Sequence, residues 1–191
     1  MKPLFWFVFL AGLGYFLAGF LRRRGDYAIR CRPVLRIRLA ETVAVLFYFG
    51  VLLVAGWDFP FSPFPAATSW AGLVLTLAGV LLCSWAKVHL KSNLTVTLGI
   101  KRDHTLITTG PYARIRHPIY TAFLLQFLGA ALVFDSGATL LLLFLPFVAF
   151  FYWQSAAEEK LLVEHFGGQY RRYRVTTGRL APKLLSGGSH G

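Results

Sequence analysis

Two short stretches hold most of the residues that could do chemistry. The first, "GPYARIRHPIY" at residues 110–120, puts Tyr112, Arg114, Arg116, His117 and Tyr120 together, with His104 a little upstream. The second, "QSAAEEKLL" at residues 154–162, contributes Gln154, Glu158 and Glu159. No hydrolytic centre can be assembled from them: the chain has no G-x-S-x-G and no H-E-x-x-H. His104 and His117 stand thirteen residues apart across a Gly-Pro turn with no cysteine beside them, which argues against a metal. What remains is an acidic, hydrogen-bonding set, suited to a pocket open to water for a polar cofactor and to lipid for an apolar substrate.

The elements that must position this set are hydrophobic. Of the 191 residues, 56% are hydrophobic and the mean hydropathy is +0.57. Residues 4–21, 39–57 and 69–86 are runs with few or no charges, each near the ~20 residues that cross a bilayer as a helix. Two further runs follow at 118–134 and 138–156. The expectation is an all-α polytopic integral membrane protein of about five transmembrane helices, because helices satisfy their own backbone in lipid. It adds a cytoplasmic cofactor-binding loop and a C-terminal helix. The chain reads as a single membrane domain, with a three-helix part at 1–86, a cofactor-binding and catalytic part at 87–183, and a flexible tail at 184–191.

The net charge of +12 is distributed in a way that excludes nucleic acid as the partner. Nineteen of the 20 Lys and Arg lie in residues 22–38, 87–116 and beyond 159, while residues 58–68 and the turn "FDSG" have none. That alternation puts the C-terminus and the reactive set on the cytoplasmic side, with the basic segments against an anionic leaflet, and the membrane expected is a bacterial or archaeal-type inner membrane. Seven arginines in residues 22–38 mark the first run as a retained span, not a cleaved signal. Cys31 and Cys83 are too few for a disulfide framework, and Glu41 reads as a local partner of Arg36 or Arg38.

Only the four-residue turn "FDSG" (134–137) joins the last two runs, which forces an antiparallel hairpin. The hairpin should bring "RHPIY" at the start of one helix against "SAAEEKLL" at the end of the other. From residue 155 a helix should continue out of the membrane until Gly167-Gly168, followed by a basic tail with Tyr170 and Tyr173 lying along the interface. Each residue also has a plain structural reading. Arg114 and Arg116 can snorkel to phosphates, and Glu158 and Glu159 can be solvated helix-end charges.

The stretches "HTLITTGPYARIRHPIY" and "EEKLLVEHFGGQYRRYRVTTGRLAP" together resemble the signature of the isoprenylcysteine carboxyl methyltransferase family, over roughly residues 85–182. That resemblance implies an S-adenosylmethionine-dependent membrane enzyme with a non-Rossmann cofactor pocket and a lipophilic or prenylated acceptor. It places His104, Thr105, Leu106, Ile107, Gly110 and Tyr112 around the cofactor, with His117, Pro118, Ile119 and Tyr120 completing that wall and Glu158 holding a polar end. Arg116, Glu159 and Gln154 are the catalytic candidates. The family usually carries an arginine one turn before the glutamates; Gln154 stands there in this sequence, offering a hydrogen bond but no charge. In-line transfer of a methyl group needs alignment and exclusion of water more than a covalent catalyst, which suits such a pocket. Other readings stay open on the residues alone: a methyltransferase for a phospholipid amine, a thiol or another small lipid, an NAD(P)H-dependent lipid reductase, and a non-enzymatic helical scaffold.

Overall fold

The computed structural model describes residues 2–21, 27–29, 67–90, 100–101, 105–134 and 144–183. In chain order these form α1 (Lys2–Leu21), β1 (Tyr27–Ile29), α2 (Ala67–Leu90), β2 (Ile100–Lys101), a 3-10 turn (Gly110–Ala113), α3 (Pro118–Val133), α4 (Leu145–Phe166) and α5 (Gly168–Thr176). The run expected at 39–57, the 135–137 turn, Cys31, Glu41 and His104 lie outside the described residues.

The protein is mostly helical, as its hydropathy requires. Two features depart from the expectation. Tyr27–Ile29 pairs antiparallel with Ile100–Lys101, adding a two-stranded ribbon to an otherwise all-α reading. The basic segment expected to follow Gly167-Gly168 as a tail is itself a helix, α5. Gly167 does end α4, at φ 55°, with its amide bonded to the Val163 carbonyl. That is a left-handed-region stop that glycine accepts without a Cβ clash. A new helix then starts at once, because a single residue outside helical space turns the axis without dissolving the pattern.

Helices α2 and α3 form the best-packed pair. The buried face of α2 presents Gly72, Thr76, Gly79 and Cys83, one or two turns apart. A Cβ on Gly72 would meet the Gly129 carbonyl at 2.6 Å, and one on Gly79 would meet the Ala122 carbonyl at 2.7 Å. The pairing is therefore antiparallel, with backbone approaching backbone where only small residues allow it. The opposite face of α2 is an apolar stripe of Trp70, Val74, Leu77, Leu81, Trp85 and Val88, all exposed. Thr68–Leu90 is long and apolar enough to cross a membrane, and a soluble surface would not carry such a stripe. Lys2–Ala11 and Pro118–Val133 are shorter apolar helices.

Aromatic packing assembles the rest. Phe5 of α1 meets Phe134 edge-to-face at 5.1 Å, fixing the N-terminus of α1 to the far end of α3. On α4, Phe147 lies 4.4 Å from Phe127, and Phe151 lies 4.9 Å from Tyr120. Advancing along α4 thus means retreating along α3, so the two helices form the antiparallel hairpin that the short connection demands. Pro118 opens α3 at a position where its missing N–H costs nothing.

Candidate functional site

At the end where α3 begins, three segments converge: the 3-10 turn with residues 114–117, the last turns of α4, and the chain from α5 to Lys183. Residues 177–179 lie alongside 114–117 through a short parallel bridge. Arg116 N donates to the Gly178 carbonyl at 2.8 Å, His117 N to Arg179 O at 3.0 Å, and Gly178 N to Arg114 O at 3.1 Å. Thr121 Oγ1 adds a 2.6 Å bond to the Leu180 carbonyl, and the Tyr173 hydroxyl donates to the Tyr112 carbonyl at 2.6 Å. Lys183 Nζ caps the carboxyl end of α5 through the carbonyls of Arg174 and Val175.

Glu159 is the centre of this end. Its carboxylate is almost wholly buried, with the side chain 3% exposed. It accepts from Arg116 Nε at 2.8 Å, Arg179 Nε at 3.2 Å and Arg179 Nη2 at 3.0 Å, while Arg174 Nε stands 3.4 Å away. The Arg116 guanidinium also donates to the Thr177 and Arg174 carbonyls. Glu158 differs. Its side chain is 30% exposed, and it accepts from the Tyr120 hydroxyl and faces His117 Nδ1 at 3.2 Å. His117 therefore sits between two carboxylates, its Nε2 3.5 Å from Glu159, and its ring stacks on Tyr120 with centroids 5.6 Å apart. Both glutamates lie past residue 156, where the apolar run ends.

The electrostatics follow from this placement. Burial alone would raise the Glu159 carboxyl, but bonds from His117, Arg179 and Arg116 outweigh it and hold the group well below the usual carboxylate range. Burial pulls His117 toward its neutral form, yet Glu158 and Glu159 overcome it and raise the imidazole above its ordinary value. Tyr112 is pushed up by burial first, then by the fields of Tyr173, Cys83 and Glu158. Its phenol stays protonated and can donate a hydrogen bond. Nothing here resembles an activated nucleophile. Among the described residues no three His, Cys, Asp or Glu side chains gather as a metal group.

Of the residues singled out from sequence, Arg116, His117, Pro118, Tyr120, Glu158 and Glu159 meet at this end. Gln154 is buried one turn before Glu158. Tyr112 and Gly110 form the adjoining turn, where Gly110 takes φ 61° and its α-carbon lies against the His89 ring. Ile119 is partly buried, and Thr105, Leu106 and Ile107 lead into the turn, with Thr105 exposed. Arg114 is also exposed, and takes part through its carbonyl. Sequence reasoning missed Arg174, Thr177 and Arg179. The available signal was a glutamate at the end of an apolar run followed by a segment with arginines five residues apart, read instead as a basic tail lying along the interface. Tyr170, also missed, is 1% exposed and its hydroxyl makes no hydrogen bond among the described residues.

Fold and site together define a helical membrane protein with a buried ionic cluster at one end of a helix hairpin. Comparison with known proteins agrees. The model of the phospholipid methyltransferase family matches residues 67–169, the stretch that contains α2, α3 and α4 and, of the ionic cluster, Arg116, His117, Glu158 and Glu159. The chain belongs to that family, and its relatives place it with the isoprenylcysteine carboxyl methyltransferases, bearing out the resemblance read from the two signature stretches. The protein-S-isoprenylcysteine O-methyltransferase of Schizosaccharomyces pombe is 36% identical over 98 residues, covering 50% of this chain and 42% of the relative. The cobalt-zinc-cadmium resistance protein CzcN of Cupriavidus metallidurans is 30% identical over 118 residues, covering 61% of this chain and 53% of that one. The solved structure of the eukaryotic intramembrane Ras methyltransferase ICMT superposes with a TM-score of 0.63 at 25% identity, over 82% of this chain and 55% of that one. The matches thus cover about half the length of these relatives.

Proposed function

We propose that the chain is a multi-pass membrane methyltransferase that takes its methyl group from S-adenosylmethionine and delivers it to a lipophilic acceptor, in the first place an isoprenylcysteine carboxylate. The observation that carries this reading is the Glu158 carboxylate, held by Tyr120 and His117 but still 30% exposed, at the mouth of a hairpin whose outer surfaces are apolar. The donor set fits the cofactor: an accessible carboxylate beside stacked aromatic rings complements a ligand that is cationic at its reacting end and aromatic at the other. When bound, S-adenosylmethionine supplies an electrophilic methyl group on a sulfonium. Glu158 and His117 would hold its polar end, with His104, Thr105, Leu106, Ile107, Gly110, Tyr112, Pro118, Ile119 and Tyr120 forming the surrounding wall.

Glu159 acts one step back. Its oxygens are taken up by Arg116, Arg174 and Arg179, so its role is to fix His117 and Arg116, and through them Glu158. Gln154, buried next to Glu158 in the helix, is the hydrogen-bonding candidate toward the acceptor. The Tyr120–Phe151 stack keeps water from the reacting end. This reading carries with it about five membrane crossings, a basic cytoplasmic face that includes the site, and a location in an inner membrane of bacterial or archaeal type.

A second acceptor class, a phospholipid amine, draws on the family description and on the neutrality of Gln154. One experiment separates them. Purified protein in detergent is incubated with labelled S-adenosylmethionine and either N-acetyl-S-farnesylcysteine or a phospholipid extract. Label released as methanol by base from the first substrate is the expected result. Label retained on headgroup nitrogen supports the second acceptor. Thermal stabilisation by NADPH and not by S-adenosylhomocysteine would favour the reductase and end this proposal.

A further inference from the structure

Helix α5, "GQYRRYRVT", and the chain from Thr177 to Lys183 carry Arg171, Arg172, Arg174, Arg179 and Lys183 and no acid. The structure sorts these cations into two groups. Arg179 is bonded to Glu159, Arg174 stands beside it, and Lys183 caps the end of the helix. Arg171 and Arg172 are exposed, and their side chains make no ion pair or hydrogen bond among the described residues. Helical geometry accounts for the division. Tyr170, Tyr173 and Thr177 recur at helical spacing and form the buried face. At about 100° per residue, Val175 falls opposite that face, with Arg171 on one side of it and Arg172 on the other. Val175 is 71% exposed. The tyrosines expected along the interface thus point inward, and a different face of the same segment, apolar at its centre and cationic at its flanks, points out.

The neighbours of α5 fix its depth. Tyr152 and Trp153, within the two turns of α4 before Glu158, are exposed, and exposed amphipathic aromatics of this kind mark the edge of the hydrocarbon layer. The Arg179 guanidinium lies 4.6 Å over the Tyr152 ring, and the Leu180 carbonyl accepts from Thr121 in the first turn of α3. The chain leaving α5 therefore runs at the level where the apolar helices end, which sets α5 among lipid headgroups. We propose that the Arg171–Arg172–Val175 face of α5 docks on anionic phospholipid: the two guanidinium groups take headgroup phosphates and the valine enters between them. An apolar centre between uncommitted cations is the composition of a helix lying in the interface. This contact is independent of the methyl-transfer reading.

The test is hydrogen exchange of the 168–176 amides in the full-length protein, held in nanodiscs of phosphatidylcholine alone or of phosphatidylcholine with phosphatidylglycerol. Each arginine near an anionic surface is worth about fivefold, so wild-type exchange should be about tenfold or more slower with phosphatidylglycerol. In Arg171→Gln/Arg172→Gln most of that slowing should disappear, while the melting temperature in phosphatidylcholine stays that of wild type, because neither side chain bonds to the rest of the protein. Arg171→Lys/Arg172→Lys keeps both charges and should keep the slowing. Equal exchange in the two lipids for wild type overturns the proposal and leaves the face to an acidic protein partner. Undiminished slowing in the glutamine variant overturns it as well, since other basic segments would then account for the effect. Slowing of the same size by inorganic phosphate in phosphatidylcholine discs would replace lipid docking with a site for a soluble anion.

Discussion

At the scale of single residues, two adjacent glutamates have divided the work. Glu159 is dry and surrounded by guanidinium groups, whereas Glu158 is partly exposed and meets one phenol and one imidazole. Removing the charge of Glu159 strands Arg116, and breaking a buried pair from one side costs about 3–5 kcal/mol. Glu159→Gln should therefore lower the melting temperature of the detergent-solubilised protein sharply. Glu158→Gln should barely move it yet weaken S-adenosylhomocysteine binding about tenfold, both followed by thermal shift and calorimetry. The same groups set the pH dependence. Glu159 titrates lower folded than unfolded, so its contribution is present above about pH 4.5 and is lost only as pH falls well below that. His117 titrates higher when folded, so its contribution is complete below about pH 6.5 and fades as pH rises through its folded value. Melting temperatures across pH 4 to 9 should fall on the alkaline side, and the fall should vanish in His117→Gln. The pairing of His117 and Tyr120 with the glutamates was legible in the sequence, since polar residues at two ends of a tight apolar hairpin have nowhere else to go. Arg174 and Arg179 were not, because arginines in a basic tail look the same whether solvated or aimed at a buried carboxylate.

At the scale of elements, the site depends on how closely α2 and α3 approach. Gly72, Gly79 and Gly129 let backbone meet backbone, and a Cβ on Gly129 would strike the Thr76 hydroxyl and the Gly72 carbonyl. Gly129→Ala should cost about 1–3 kcal/mol through overpacking, read as a lower melting temperature, while Gly168→Ala, with nothing within 4 Å of the added methyl, should be near neutral. Helices of this kind announce themselves by hydropathy, and α2, α3 and the extension of α4 to Phe166 follow the expected runs. The β1–β2 ribbon did not announce itself, since strands of three and two residues carry no period to detect. Helix α5 was hidden by the glycine pair at 167–168, which marks a stop from sequence but in space only turns the chain so that Tyr173 reaches the Tyr112 carbonyl.

At the scale of the whole molecule, the hairpin and the returning C-terminal chain gather one polar cluster at the end of an apolar helix set. Phe5 against Phe134 pins the opposite end, so the polar groups gather at a single end of the helix set. Membership of the phospholipid methyltransferase family gives that cluster its context, and the partial exposure of Glu158 leaves one of its carboxylates accessible. The most direct measurement is calorimetric titration of the full-length protein in detergent with S-adenosylhomocysteine. Saturable binding to wild type, weakened about tenfold or more in both Glu158→Gln and His117→Ala, is the predicted result. Wild-type affinity in both variants would contradict it, and would mean that the methyl donor is held somewhere other than between these two helix ends.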